Sequence, residues 1–241
     1  VDGASTIGVS DDVLQRALAK LAKGTSPGVS GWTAELLSVV AADDVGRRFL
    51  CTICADIANN AVSDVVRERI TACALVGLPK PDGGSRPIAM GEVLLKTAAN
   101  CLFEQHRDVL AAHFAGLQFG CLHPGGAAAV AWQVRAALRA SPTHVVATLD
   151  AANAFNTPER GAVAALLMET KFGFLRGIFD LEYGRASRLI VRGGDDVDVI
   201  WSQRGFRQGS VLAGLFFCIA IQPVLQKLQT THPLVKIFAY M

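Results

Sequence analysis

The chain has 241 residues, 51% of them hydrophobic and 18% charged, with a formal net charge of +2. That supplies apolar side chain for one large domain or two small ones and excludes an intrinsically disordered chain. The mildly basic balance allows a polyanion partner but does not argue for one, so any phosphate contact has to come from local placement of cations.

In chain order, Ser10 caps a helix that begins at Asp11 and Asp12, carries Leu14, Leu18 and Leu21 on one stripe, and ends at Gly24. "GTSPGVSGW" is a loop by its Gly, Pro and Ser content. Helical periodicity follows from Thr33 to about Val40 and from Asp44 through Ile57. "TACALVGLPKPDGGSRPIAM" reads as strand, turn, strand, with "PDGG" as the turn. "GEVLLKTAANCLFEQHRDVLAAHF" and "PGGAAAVAWQVRAALRAS" are helices. "HVVATLD" is a β-rich run ending in an acid. "TPERGAVAALLMETKF" and "FLRGIFDLEYGRA" are helical, and "SRLIVRGGDDVDVIW" is a hairpin turning at "GGDD". "SVLAGLFFCIAIQPVLQKL" is a buried helix interrupted or kinked near Pro223, and "VKIFAYM" is a strand. The whole is α+β.

The six cysteines, Cys51, Cys54, Cys73, Cys101, Cys121 and Cys218, sit among apolar neighbours with no disulfide-framework spacing. They read as reduced core thiols of an intracellular protein. "CTIC" has CxxC spacing, but no second pair follows and it falls in a helical pattern, which argues against zinc or redox use. "VDGASTIGVS" has neither an initiator Met nor a leader pattern, and "VLAGLFFCIAI" is too short to span a bilayer. The chain reads as cut from something larger, with no membrane partner.

Several stretches carry candidate chemistry. In "TLDAANAFN", Asp150 ends a β-rich run, where a carboxylate projects from a sheet rim as a metal ligand; capping of the next turn is the other reading, and the stretch alone leaves both open. In "RGFRQGSVLAG", Gln208 has the groups to bond a base or sugar and Gly209 lets backbone approach a ligand, or the stretch is an ordinary helix start. "LPKPDGGSRPI" puts Lys80 and Arg86 on two arms of one hairpin, able to fold over a triphosphate or simply solvated. Asp195, Asp196 and Asp198 of "GGDDVD" are expected turn residues rather than a metal site.

The order of these stretches is more specific than any one of them. "KPDGGSRPIAMGEVLLKTAAN", "LQFGCLHPGGAAAVAWQVR", "LDAANAFN", "RGFRQGSVLAGLFF" and the terminal "FAYM" together resemble a reverse transcriptase of the type encoded by retrotransposons without long terminal repeats. The resemblance covers the chain from about Gly24 to Met241. It implies a right-hand polymerase: a reverse transcriptase domain fragment over residues 1–241, mainly fingers over about 1–143 and mainly palm over about 144–241, with the thumb absent. The palm would be a small antiparallel sheet packed on helices. Asp150 would lie on a central strand and the tail strand beside it, leaving apolar surface exposed on the isolated chain.

The implied reaction is RNA-directed DNA synthesis, with two Mg²⁺ ions assisting transfer from a deoxynucleoside triphosphate (dNTP) to a DNA primer on an RNA template. Asp150 and the backbone carbonyl of Ala151 would bind metal. Arg86, assisted by Lys80, would contact the triphosphate, and Phe155 would lie under the sugar as a gate against ribonucleotides. Gln208 and Gly209 would line the nucleotide and template side. Lys96 would meet template phosphate or remain a solvated lysine. The family pattern further implies two aspartates after Met241, so this chain alone is expected to lack polymerase activity. Ser30, Ser210 and Ala128 stand where the family commonly has acids. The element type implies nuclear action and further domains of the same polyprotein. The alternative reading is a non-catalytic polymerase-like RNA-binding scaffold or a decayed element copy.

Overall fold

The computed structural model describes residues 6–81, 83–141, 143–169 and 171–240. Four of the first helices begin at residues whose side chains accept the free backbone N–H groups of the first turn. Ser10 caps α1 (Asp11–Ala19), Thr33 caps α2 (Ala34–Ala42), Asp43 caps α3 (Asp44–Ala58) and Ser63 caps α4 (Asp64–Thr71). At α3 the Asp43 carboxylate takes both the Val45 and Gly46 amides, at 2.9 and 3.0 Å. The 22-residue α5 (Val93–Phe114) is the centre of the helical layer. Leu102 and Leu110 on it are fully buried, and α1 and α3 pack along it. Burial of each such leucine contributes roughly 1.5–3 kcal/mol.

After α6 (Gly126–Ala140) come α7 (Arg160–Glu169), α8 (Arg176–Tyr183) and α9 (Ala213–Thr231). An aromatic cluster of Phe179, Tyr183, Phe206 and Phe216 joins α8 to α9, with ring centroids 5.0 to 6.4 Å apart. Gln118 is buried and donates to the Cys218 carbonyl and to Gln222, fastening the segment after α5 to α9.

The sheet has four strands in the order β2-β1-β3-β4. β1 (Cys73–Pro79) and β2 (Ser85–Met90) form one antiparallel hairpin, and β3 (Ser187–Gly193) and β4 (Asp196–Ser202) form another. The second turns at Gly194, whose φ of 64° suits glycine. β1 and β3 join the hairpins in parallel through Cys73–Leu189 and Ala74–Ile190. The sheet is therefore mixed, not antiparallel throughout as expected.

Both hairpins lie where the sequence puts them, although Asp82 of the first turn is outside the described residues. Other expectations need correction. The helix from Asp11 ends at Ala19 rather than Gly24, and α4 was not anticipated. α9 is one continuous helix through Pro223 and is not interrupted there. Residues 144–150 form no strand, so Asp150 is on an exposed irregular segment rather than at the end of a central strand. The tail is not a central strand either: its one ladder contact among the described residues is a bridge from Ala239 to Gln118. Met241 is outside the described residues. A strand exists only by pairing, and no described segment runs beside 144–150 to accept its backbone groups. Val145 and Leu149 in that segment and Leu234 ahead of the tail are almost fully exposed. Among the described residues no helix is long and apolar enough to cross a membrane.

Candidate functional site

The loop from Gln203 to Leu212 gathers the candidate residues. The Gln208 carbonyl accepts from the Ala89 amide on the outer edge of β2, at 2.7 Å. Gly209 has φ 108°, and a Cβ there would stand 2.4 Å from the Ala89 carbonyl oxygen. The close approach that requires glycine is thus to β2. At its N-terminal side the same loop meets the segment after Asp150. Phe206 donates its amide to the Phe155 carbonyl at 2.6 Å, and Gly205 donates to the Pro158 carbonyl at 3.2 Å. Phe155 itself stacks obliquely on Phe217 of α9, with centroids 5.7 Å apart. Three stretches distant in sequence, β2, residues 155–158 and the 205–209 loop, are therefore stitched together by backbone hydrogen bonds.

Arg207 anchors this loop from beneath. Its side chain and that of Glu182 on α8 are each only 3% exposed and meet at 2.7 Å. The guanidinium also donates to the Thr71 carbonyl at 2.6 Å and to Ser187 Oγ at 3.1 Å, and lies over the Tyr183 ring. Burial alone would lower its pKa; the Glu182 charge reverses this and holds Arg207 above its usual range. Burial pushes the Tyr183 phenol upward. Arg160 holds the loop's start, donating to the Gly205 and Ser202 carbonyls at 2.8 and 3.0 Å.

Sequence reasoning did not single out Arg207, Glu182 or Arg160. The available signal was an acid at position 182, one turn after Ile178 on the apolar stripe of α8, where an unpaired charge would be untenable.

Lys80 and Arg86 are on the β1–β2 hairpin as expected. Arg86 lies opposite Leu78, and Lys80 closes the turn through its backbone, donating to the Gly84 carbonyl at 2.7 Å. Asp150 and Ala151 are exposed, and among the described residues no hydrogen bond or ion pair joins Asp150 to another side chain. The structure thus brings Gln208, Gly209 and Phe155 onto one framework with β2. It makes no direct contact between Asp150 and the hairpin cations. Asp195 is in the β3–β4 turn, as the sequence indicated, and Asp196 and Asp198 lie on β4.

Beside this framework, a cleft of about 240 Å³ is lined by Lys20, Trp32, Thr33, Lys96 and Asn100. Lys96 also lines a water-sized cavity with Arg207 and Ser210. Ser30, at the rim of this region, gives its amide to Glu92 Oε1 at 2.8 Å and its hydroxyl to Glu92 Oε2. An aspartate at position 30 would set a second carboxylate against the buried Glu92. The serine at this position therefore has a local partner in Glu92.

Among the described residues no group of three His, Cys, Asp or Glu is placed to hold a metal ion. Mg²⁺ at phosphate-transfer sites takes one or two carboxylates and completes its shell with water and substrate phosphate. The free Asp150 carboxylate and the Ala151 carbonyl fit part of such a shell.

The chain is 30% identical over 236 residues to the Retrotransposable element SLACS 132 kDa protein of Trypanosoma brucei gambiense. The match covers 96% of this chain and 20% of that protein, so the chain spans about a fifth of the length of the curated relative it matches. No family model matches. The chain is related to a protein of a retrotransposable element.

Proposed function

We propose that the chain is part of an RNA-directed DNA polymerase, comprising fingers and part of the palm. The observation that carries this reading is the backbone joining of β2, the 155–158 segment and the 205–209 loop. These are the stretches bearing Arg86, Phe155 and Gln208, and a templated nucleotide transfer needs a triphosphate contact, a sugar wall and a template-side wall converging on one nucleotide. The relation to a retrotransposable-element protein supports the same reading.

In this mechanism Arg86 binds the triphosphate through a charge-assisted, forked hydrogen-bond pair, with Lys80 as a second cation. Phe155, held by its contact with Phe217, presents a rigid wall that a ribose 2′-hydroxyl would strike. Gln208 and Gly209 border the nucleotide on the template side. Asp150 and the Ala151 carbonyl would hold Mg²⁺. When bound, the metal stabilises charge on the attacking primer oxygen and the leaving pyrophosphate oxygen.

The test is nucleotide selection by the protein made from the reading frame that carries this chain. Phe155→Val is expected to reduce discrimination against ribonucleotides by roughly ten- to two-hundredfold. Arg86→Gln is expected to raise the dNTP KM. Unchanged sugar selection in the Phe155 variant, with the protein folded and extending primers, would contradict the assignment.

A further inference from the structure

The two hairpins share one open face. On it Arg188 stands opposite Trp201, Ile190 opposite Val199 and Arg192 opposite Val197. The parallel join sets Ala74 beside Ile190, and the first hairpin continues the face through Val76–Ile88 and Leu78–Arg86. Every strand residue on this face is apolar or arginine. The acids of β4, Asp196 and Asp198, alternate to the other side. That other side is packed on the protein at one end, where Cys73, Ala89, Ser187 and Ser202 are buried and Arg207 bonds Ser187 from beneath, and it opens further along at Ile200, Asp196 and Asp198. The open side leaves Trp201 54%, Val199 45% and Leu78 49% exposed. Among the described residues Arg86, Arg188 and Arg192 form no ion pair.

We propose that this face binds single-stranded nucleic acid, with Arg188 and Arg192 on phosphates and Trp201 stacking on a base. A face with three arginines and no acid is complementary to a polyanion. An exposed indole directly across from an arginine provides the stacking and cation pairing that sequence-tolerant single-strand binding uses. The face is also continuous, through Leu78, with Arg86 of the proposed nucleotide site. A strand leaving that site over the hairpins would therefore meet Arg188, Trp201 and Arg192. The proposal rests on the polymerase reading for the choice of nucleic acid among polyanions.

The test is fluorescence anisotropy of a 5′-fluorescein 20-nucleotide oligouridine with this chain, without metal or dNTP, across a salt series. Arg188→Gln/Arg192→Gln is expected to flatten the log–log salt slope by about 1.4. Trp201→Ala is expected to weaken binding roughly five- to a hundredfold, and Trp201→Phe to restore most of it. In a Trp32→Phe/Trp132→Phe background, the remaining Trp201 emission is expected to quench on RNA addition. Unchanged slope and affinity in folded arginine variants, confirmed by circular dichroism, would overturn the proposal. So would a self-associated chain that Trp201→Ala makes monomeric, because the face would then belong to a second copy. Neither result touches primer extension, so failure here is distinct from failure of the polymerase reading.

Discussion

Arg207 remains charged inside the protein because its partner, Glu182, is buried with it. Removing one member leaves the other uncompensated, which is the costly case. Arg207→Met is expected to destabilise the chain by about 3–5 kcal/mol, and Arg207→Met/Glu182→Leu by clearly less, measured by chemical denaturation. The thiols define a second residue-scale outcome. Burial pushes Cys51 up to about 11, and Cys54, Cys73 and Cys218 are also raised, by the neighbouring Cys101 thiol, by burial and by the neighbouring Cys121 thiol respectively. A thiol that keeps its proton in the folded state but loses it near its ordinary value when unfolded contributes stability at low pH and withdraws it at high pH. Stability is expected to fall between about pH 9 and pH 11 for this reason. Cys51→Ser should shrink that alkaline loss in a thermal-melt series; an unchanged pH profile in that variant would contradict the assignment. The cysteines were legible as core thiols, and all six are free. The Arg207–Glu182 pair was not singled out, since its two members are 25 positions apart and meet only through the fold.

At the scale of elements, what the sequence revealed depended on whether the determinant was local. The caps at Ser10 and Thr33 sit within three residues of the amides they bind, so those helix starts could be read directly. Ser63 supplies the same local signal for α4, its side chain accepting the Val66 amide. Both hairpins were legible because turn chemistry and alternation occur within about 15 residues of each other. "HVVATLD" and the tail "VKIFAY" are equally β-rich, yet among the described residues the first pairs with nothing and the second makes a single bridge, because a strand requires a partner that composition does not specify. The loop carrying Ser30 is likewise set by a distant contact, 62 positions away at Glu92. Ser30→Asp is expected to cost about 1–3 kcal/mol by placing carboxylate against carboxylate, and Glu92→Gln in the same chain to recover most of that loss. Equal denaturation midpoints for wild type and Ser30→Asp would show that the Glu92 contact does not hold the loop.

Across the whole molecule, the helical layer around α5 and the mixed sheet are joined by the loop that Arg207 anchors, and Phe155, Gln208 and Gly209 lie on that joint, with Lys80 and Arg86 further out on the β1–β2 hairpin. Asp150 stands apart from it, exposed on an irregular segment with no side-chain hydrogen bond or ion pair among the described residues. A group so placed contributes little to stability, usually within about 0.5 kcal/mol, so its replacement separates chemistry from folding. The most direct measurement is Mg²⁺-dependent extension of a DNA primer on an RNA template by the protein from the reading frame carrying this chain, compared with its Asp150→Ala variant. The account expects extension by the wild type, a loss of more than about a hundredfold in the variant, and an unchanged thermal melt. Extension that survives Asp150→Ala, or a wild-type protein that folds and extends nothing, would contradict it.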